Sequence, residues 1–205
     1  MFFVDVPGGI EAGDRVLVYS ATDLVRAAEC PWATVRILDE KLGRVPRLPV
    51  PEDPMLERTA RLGDRHEAEV LAELRERYGP YQPPEAGAPG RGVYEVEPAR
   101  SMTHEALAAK HEETLAALRN GADVVFQASF YDGRFHGRAD FLIRRADGAY
   151  AVYDTKLARH AKVTALLQLA AYADQLAAAG IPVSPEVTLI PVSYTHLRAH
   201  ETVLD

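Results

Sequence analysis

The order of patterns along this chain predicts an α/β fold, with a small mixed sheet flanked by helices and a helical part at the N-terminal side. Three observations carry the expectation. Residues 122–157, "ADVVFQASFYDGRFHGRADFLIRRADGAYAVYDTKL", read as three successive strands, with Asp132-Gly133 and Asp147-Gly148 where hairpin turns belong. Helical patterns precede that run, and a helix and one more apolar strand follow it. With 205 residues, 47% hydrophobic and 26% charged, the chain suits one domain with a core of its own.

Taken in order, residues 1–19 form a strand-like lead-in broken by turns at "PGG" and "AGD". Ser20 or Thr22 can cap a helix from about Asp23, which Pro31 interrupts and Gly43 closes. Cys30 is expected to pack within it as a small apolar residue. Pro46, Pro49, Pro51 and Pro54 make a non-helical connector. From Met55 to Tyr78 the helical pattern returns, with Leu62, His66, Val70 and Leu74 spaced by four along one inward face. "GPYQPPEAGAPGRG" reads as an exposed loop, and "HEALAAKHEETLAALRNG" as a helix ended by Gly121. After the three strands, "KVTALLQLAAYADQLAAAG" is a helix closed by Gly180, and "PEVTLIP" a further strand. One domain is expected over residues 1–191, helical over about 20–120 and with a catalytic core over about 121–191. The segment "VSYTHLRAHETVLD" continues no element and resembles translated sequencing-adapter read-through, so 192–205 is expected to be a non-native tail.

Composition narrows the classes. No apolar run is long enough to cross a bilayer, and the N-terminus lacks a basic region before its apolar residues. The cytoplasm is the expected location. One cysteine excludes an internal disulfide and an all-cysteine metal or iron–sulfur site within the chain. A net charge of −7 argues against broad adhesion to nucleic acid but leaves room for a local basic groove.

Chemistry concentrates in four places. Asp154 and Lys156 lie two apart in "YAVYDTKLARH", so a strand turns both to one face, about 7 Å apart. Asp140 stands on the preceding strand. Gln168 and Tyr172, four apart, share one face of the following helix. His66 lies in "GDRHEAEVL" on the earlier helix. Each alone has an ordinary structural explanation; their order and spacing suit one site. Hydrolysis of a phosphodiester needs an activated water and relief of phosphate charge, which Mg²⁺ or Mn²⁺ on oxygen ligands supplies. Asp140 and Asp154 would be the ligands, with a carbonyl near Thr155 as a further one and His66 favouring Mn²⁺. Lys156 would orient or deprotonate the water or stabilise transition-state charge. Gln168 and Tyr172 would position the lysine or the substrate backbone. Arg138, Arg159 and Lys162 are candidate phosphate contacts. Alternation on the strand places His136, Arg138 and Asp140 together, making His136 a second candidate histidine.

The strand–turn–strand "GRAD…YDTK" resembles the core of the PD-(D/E)xK nucleases. The histidine of "GDRH" and the "QLAAY" helix resemble their RecB-like branch, which carries a motif histidine and a Q-x-x-x-Y helix. "DTKLARHAKVTALLQLAAYADQL", with "SATDLVRAAECP" earlier, is similar to nuclease domains of actinobacterial chains that continue into a superfamily 1 helicase. The resemblance covers roughly residues 16–191. It implies a restriction-endonuclease-like core and a metal-dependent nuclease acting on DNA in repair or recombination, with RNA as the alternative substrate. It assigns His66, Asp140, Asp154, Lys156, Gln168 and Tyr172 to the motif positions. It also implies a helicase partner outside this chain, and no membrane. The iron–sulfur cluster of some relatives is not expected here. The rival expectation is a catalytically inert nucleic-acid-binding or scaffolding domain.

Overall fold

A computed structural model describes residues 1–5, 15–49, 53–156 and 163–191. Their elements run β1 (Phe2–Asp5), β2 (Arg15–Val18), α1 (Ala21–Glu29), α2 (Pro31–Lys41), α3 (Pro54–Tyr78), β3 (Val93–Glu95), α4 (His104–Arg119), β4 (Val124–Tyr131), β5 (His136–Arg144), β6 (Tyr150–Lys156), α5 (Val163–Ala178) and β7 (Val183–Pro191). β1 and β2 pair as an antiparallel ribbon. The other strands form one sheet in the order β3-β4-β5-β6-β7.

The sheet is mixed for a connective reason. β4, β5 and β6 are antiparallel neighbours joined by tight turns, and Gly133 and Gly148 take φ of 91° and 86° in them. The outer pairs are parallel and therefore need crossovers, which α4 supplies between β3 and β4 and α5 between β6 and β7. This mixed α/β architecture is the one the sequence predicts. It sets β5 and β6, the strands of Asp140 and Asp154, side by side near the middle.

Helix ends follow their capping residues. Ser20 opens α1 with a reciprocal box: its hydroxyl accepts from the Asp23 amide, and its own amide donates to Asp23 Oδ2 at 2.9 Å. Asp53 caps α3 and Thr103 caps α4. Pro31 stands at the first turn of α2, where its missing N–H costs nothing, so the chain breaks into two helices there.

The two faces of the sheet carry different layers. Leu115 and Leu118 of α4, and Leu169 and Leu176 of α5, pack with Val125, Phe130, Leu142 and Val152 on one face. Val70 and Leu71 of α3 pack with Val93, Val124 and Phe141 on the other. Complete burial of side chains such as Leu169 and Leu176 contributes about 1.5–3 kcal/mol each.

Three expectations are corrected. Leu62 is 43% exposed, because only the C-terminal half of α3 lies on the sheet. Cys30 is exposed at the joint between α1 and α2, where no layer covers it. Pro54, expected in the non-helical connector, is the first residue of α3, where the missing N–H costs nothing; beyond the loop expected over 79–92, β3 is a three-residue strand that pairs with β4 and so joins the sheet. Residues 192–205 lie outside the described residues.

Candidate active site

The β5–β6 ladder ends at the rung Phe141↔Tyr153. Beyond it a side chain takes over from the backbone. Asp140 Oδ2 accepts from the Thr155 amide and from Thr155 Oγ1, both at 2.8 Å. Two hydrogen bonds to a charged acceptor fix that carboxylate, and its other oxygen takes no part in them.

Asp154 is only 2% exposed. Lys156 Nζ approaches its Oδ2 to 2.7 Å, so the expected same-face placement is observed. That ammonium is the one partner of Oδ2 among the described residues, held as an ion pair at hydrogen-bonding distance. Gln168 Nε2 lies 3.5 Å from Oδ1, a long contact. Burial, then the neighbouring Asp140 carboxylate, pushes the Asp154 carboxyl up to about 6, against the opposing pull of Lys156. The two acids are close enough for one to hydrogen-bond the other when protonated.

Gln168 and Tyr172 stand on the face of α5 that meets this pair. Burial pushes the Tyr172 phenol up to about 12, so it stays protonated; Gln168 and the Arg138 backbone lie within its hydrogen-bonding reach. The ring rests on β5 at Gly137, where an added Cβ would come within 2.6 Å of Tyr172 Cε1. Arg138 is half-buried and bonds the Val96 carbonyl at 3.3 Å through Nη2, while its buried Nε has no acceptor. Asp140 and Glu67 are among the acids that bear on its charge.

The histidines are placed differently. His66 Nε2 lies 3.1 Å from the carbonyl of Ile190, which pairs with Thr155 in the β6–β7 register. The ring therefore binds the backbone of β7, and the structure does not gather it with the two aspartates. His136 is not in the site: its Nδ1 lies 3.0 Å from the Phe130 carbonyl and its ring meets Phe2 edge-on. Burial alternates as expected through His136, Arg138 and Asp140, and the alternation slips only after Ala139, since Ala139 and Leu142, three apart, pack into the same core. Arg159, Lys162 and His160 lie outside the described residues.

Sequence reasoning missed three residues. Thr155, taken only as a source of a carbonyl, clamps Asp140 with its hydroxyl and amide. Glu67, next to His66, is half-buried; burial and the Asp140 carboxylate raise its pKa. Gln127 bonds Glu67 Oε1 through Nε2. It has φ of 53°, the one positive value outside glycine among the described residues, a conformation costing of order 1–3 kcal/mol. The adjacency of Glu67 to His66 was the only signal available for any of them.

The donor set suits a hard divalent cation. A buried carboxylate paired with one ammonium, beside a second carboxylate, is an oxygen site of net negative charge. Among the described residues no three His, Cys, Asp or Glu side chains are gathered to hold a metal. Two carboxylates with water and phosphate oxygens are what Mg²⁺ ordinarily accepts.

Neither the curated proteins nor the solved structures hold a significant match to this chain. A family model does match, over residues 19–203, and it spans the whole constellation around Asp140 and Asp154. The chain belongs to the PD-(D/E)XK nuclease superfamily.

Proposed function

We propose that this nuclease-superfamily domain hydrolyses phosphodiester bonds of DNA with Mg²⁺ or Mn²⁺, in repair or recombination. We further propose that it belongs to the RecB-like branch and works beside a superfamily 1 helicase. The observation that carries the catalytic reading is Asp154. An acid kept almost wholly buried beside another acid, with Lys156 as the cation at its Oδ2, is costly to ionise by itself and useful to a divalent cation.

A bound divalent cation supplies charge relief at the scissile phosphate and a lowered pKa for an attacking water. The chain does the rest. Asp140, immobilised by Thr155, and Asp154 would hold the cation through carboxylate oxygens. Lys156, whose ammonium lies 2.7 Å from Asp154 Oδ2, would orient the attacking water or stabilise charge developing on the phosphate. Gln168 keeps Asp154 oriented, and the neutral Tyr172 supports Gln168. Arg138, half-buried beside the acids, brings its positive charge to a phosphate there. His66 joins the cation only by leaving Ile190. Arg159 and Lys162 are further candidates for phosphate contact.

The test is cleavage of labelled single- and double-stranded DNA with Mg²⁺, Mn²⁺ or EDTA. Cleavage with either cation, abolished by EDTA and by Asp154→Ala, is expected. DNA binding without cleavage under every condition would select the inert binding domain instead.

A further inference from the structure

Gly63 lies inside the 25-residue helix α3, three residues before His66, four before Glu67 and seven before Val70. At 3.6 residues per turn these four positions share one face. Val70 is buried on the sheet, His66 Nε2 reaches the Ile190 carbonyl, and the charges of Glu67 and Asp140 act on each other. Ile190 pairs with Thr155, so α3 leaves the sheet at the end of β6 that carries Asp154 and Lys156. Gly63 is the next step outward on this face, about 4.5 Å along the axis from His66.

Glycine is the worst helix former after proline, so one inside a helix needs a reason. Two ordinary reasons are missing. Gly63 is not among the glycines with positive φ, and those at which an added Cβ would collide are Gly90, Gly92, Gly121 and Gly137. Neither its own backbone nor its neighbours among the described residues exclude a side chain, and the position is half-exposed, open to solvent. Glycine also allows a ligand to approach the backbone closely. A phosphate held through a cation at Asp140 would lie under this face of α3, and the strand on either side of it would run along the helix.

We infer that Gly63 is a positioning residue: its missing side chain lets the sugar–phosphate backbone of the substrate strand lie against α3 beside Asp140. The inference rests on the nuclease reading above and adds where the strand passes. Bulk at residue 63 moves the strand away from the acids, and a displacement of about 1 Å can cost about 100-fold in rate.

The experiment compares the wild type, Gly63→Ala, Gly63→Leu, Ala68→Leu and Asp154→Ala. Ala68 is an exposed residue of the same helix, two positions past His66. Each protein is tested for cleavage of labelled single- and double-stranded DNA with Mn²⁺, for Mn²⁺ affinity by calorimetry and for urea stability. Both Gly63 variants should denature at higher urea than the wild type, since each brings in a better helix former. Their kcat/KM should nevertheless fall, about 10-fold for alanine and about 100-fold or more for leucine, with Mn²⁺ affinity unchanged. Ala68→Leu should cleave like the wild type. Wild-type cleavage by Gly63→Leu overturns the inference. Equal losses in the alanine and leucine variants would make Gly63 a hinge and also overturn it, because alanine and leucine are nearly equal helix formers. A loss accompanied by lower urea stability or weaker Mn²⁺ binding, or one matched by Ala68→Leu, does the same. If the wild type does not cleave, or Asp154→Ala cleaves as well as it does, the nuclease reading fails and takes this one with it.

Discussion

Replacing Asp154 by asparagine should make the metal-free protein more stable at neutral pH. The carboxyl moves from 3.8 to about 6 on folding, about two pKa units, or about 3 kcal/mol. With 2% exposure, solvent does little to screen that cost. The sign follows from proton binding. Between about pH 4 and about pH 6 the folded form holds the proton that the unfolded form has released. Stability from this group is therefore complete below about pH 4 and is lost as pH rises through about 6. Asparagine never ionises, so its advantage should be near zero at pH 4 and about 3 kcal/mol at pH 7.5, a rise of about 6–12 °C in Tm for a domain of this size. The pull of Lys156 is already contained in the value of about 6, and its ammonium, 36% exposed, regains water when the partner carboxylate is replaced. Urea denaturation of both proteins in EDTA at the two pH values measures the difference. An asparagine variant less stable than the wild type at pH 7.5 would mean that the ion pair outweighs burial, and the account of an acid costly to ionise would be wrong.

Further outcomes follow from the same geometry. Lys156→Ala should lose about 100-fold or more in cleavage rate while keeping Mn²⁺ binding, whereas Asp154→Ala should lose both; wild-type rates in Lys156→Ala would reduce that lysine to a solvated strand residue. Substituting His66 by alanine should leave urea stability nearly intact and weaken activity with Mn²⁺ more than with Mg²⁺; an equal effect with both cations would make it a strut against Ile190. Thr155→Val removes one of two hydrogen bonds to Asp140 and should cost about 1.5–3 kcal/mol in urea denaturation, with Thr155→Ser close to wild type. Gly137→Ala drives a methyl into the Tyr172 ring and should cost about 1–3 kcal/mol, relieved by Tyr172→Leu if that contact is the cause.

What the sequence determined by itself is what depends on near neighbours. The helix start at Ser20, hairpins at the two Asp-Gly pairs and the end of α5 near Gly180 rest on capping and turn chemistry within a few residues. The shared face of Asp154 and Lys156 is the period of a strand, and that of Gln168 and Tyr172 the period of a helix. Those two periods, with one aspartate on the preceding strand, sufficed to outline the site. The tertiary structure decided whatever depends on contacts far along the chain. Whether Leu62 is covered depends on where α3 leaves the sheet, and β3 is a strand only because β4 offers it a ladder. His66 meets a carbonyl 124 positions away, and Gln127 meets an acid 60 positions away. The positive φ of Gln127 has no local cause, since glutamine alone disfavours it. The partner that holds it comes from another helix, so strict alternation failed at the rung where Asp140 enters the site. Alternation describes a regular ladder, and here a strained residue and a clamped carboxylate interrupt the ladder beside the two acids.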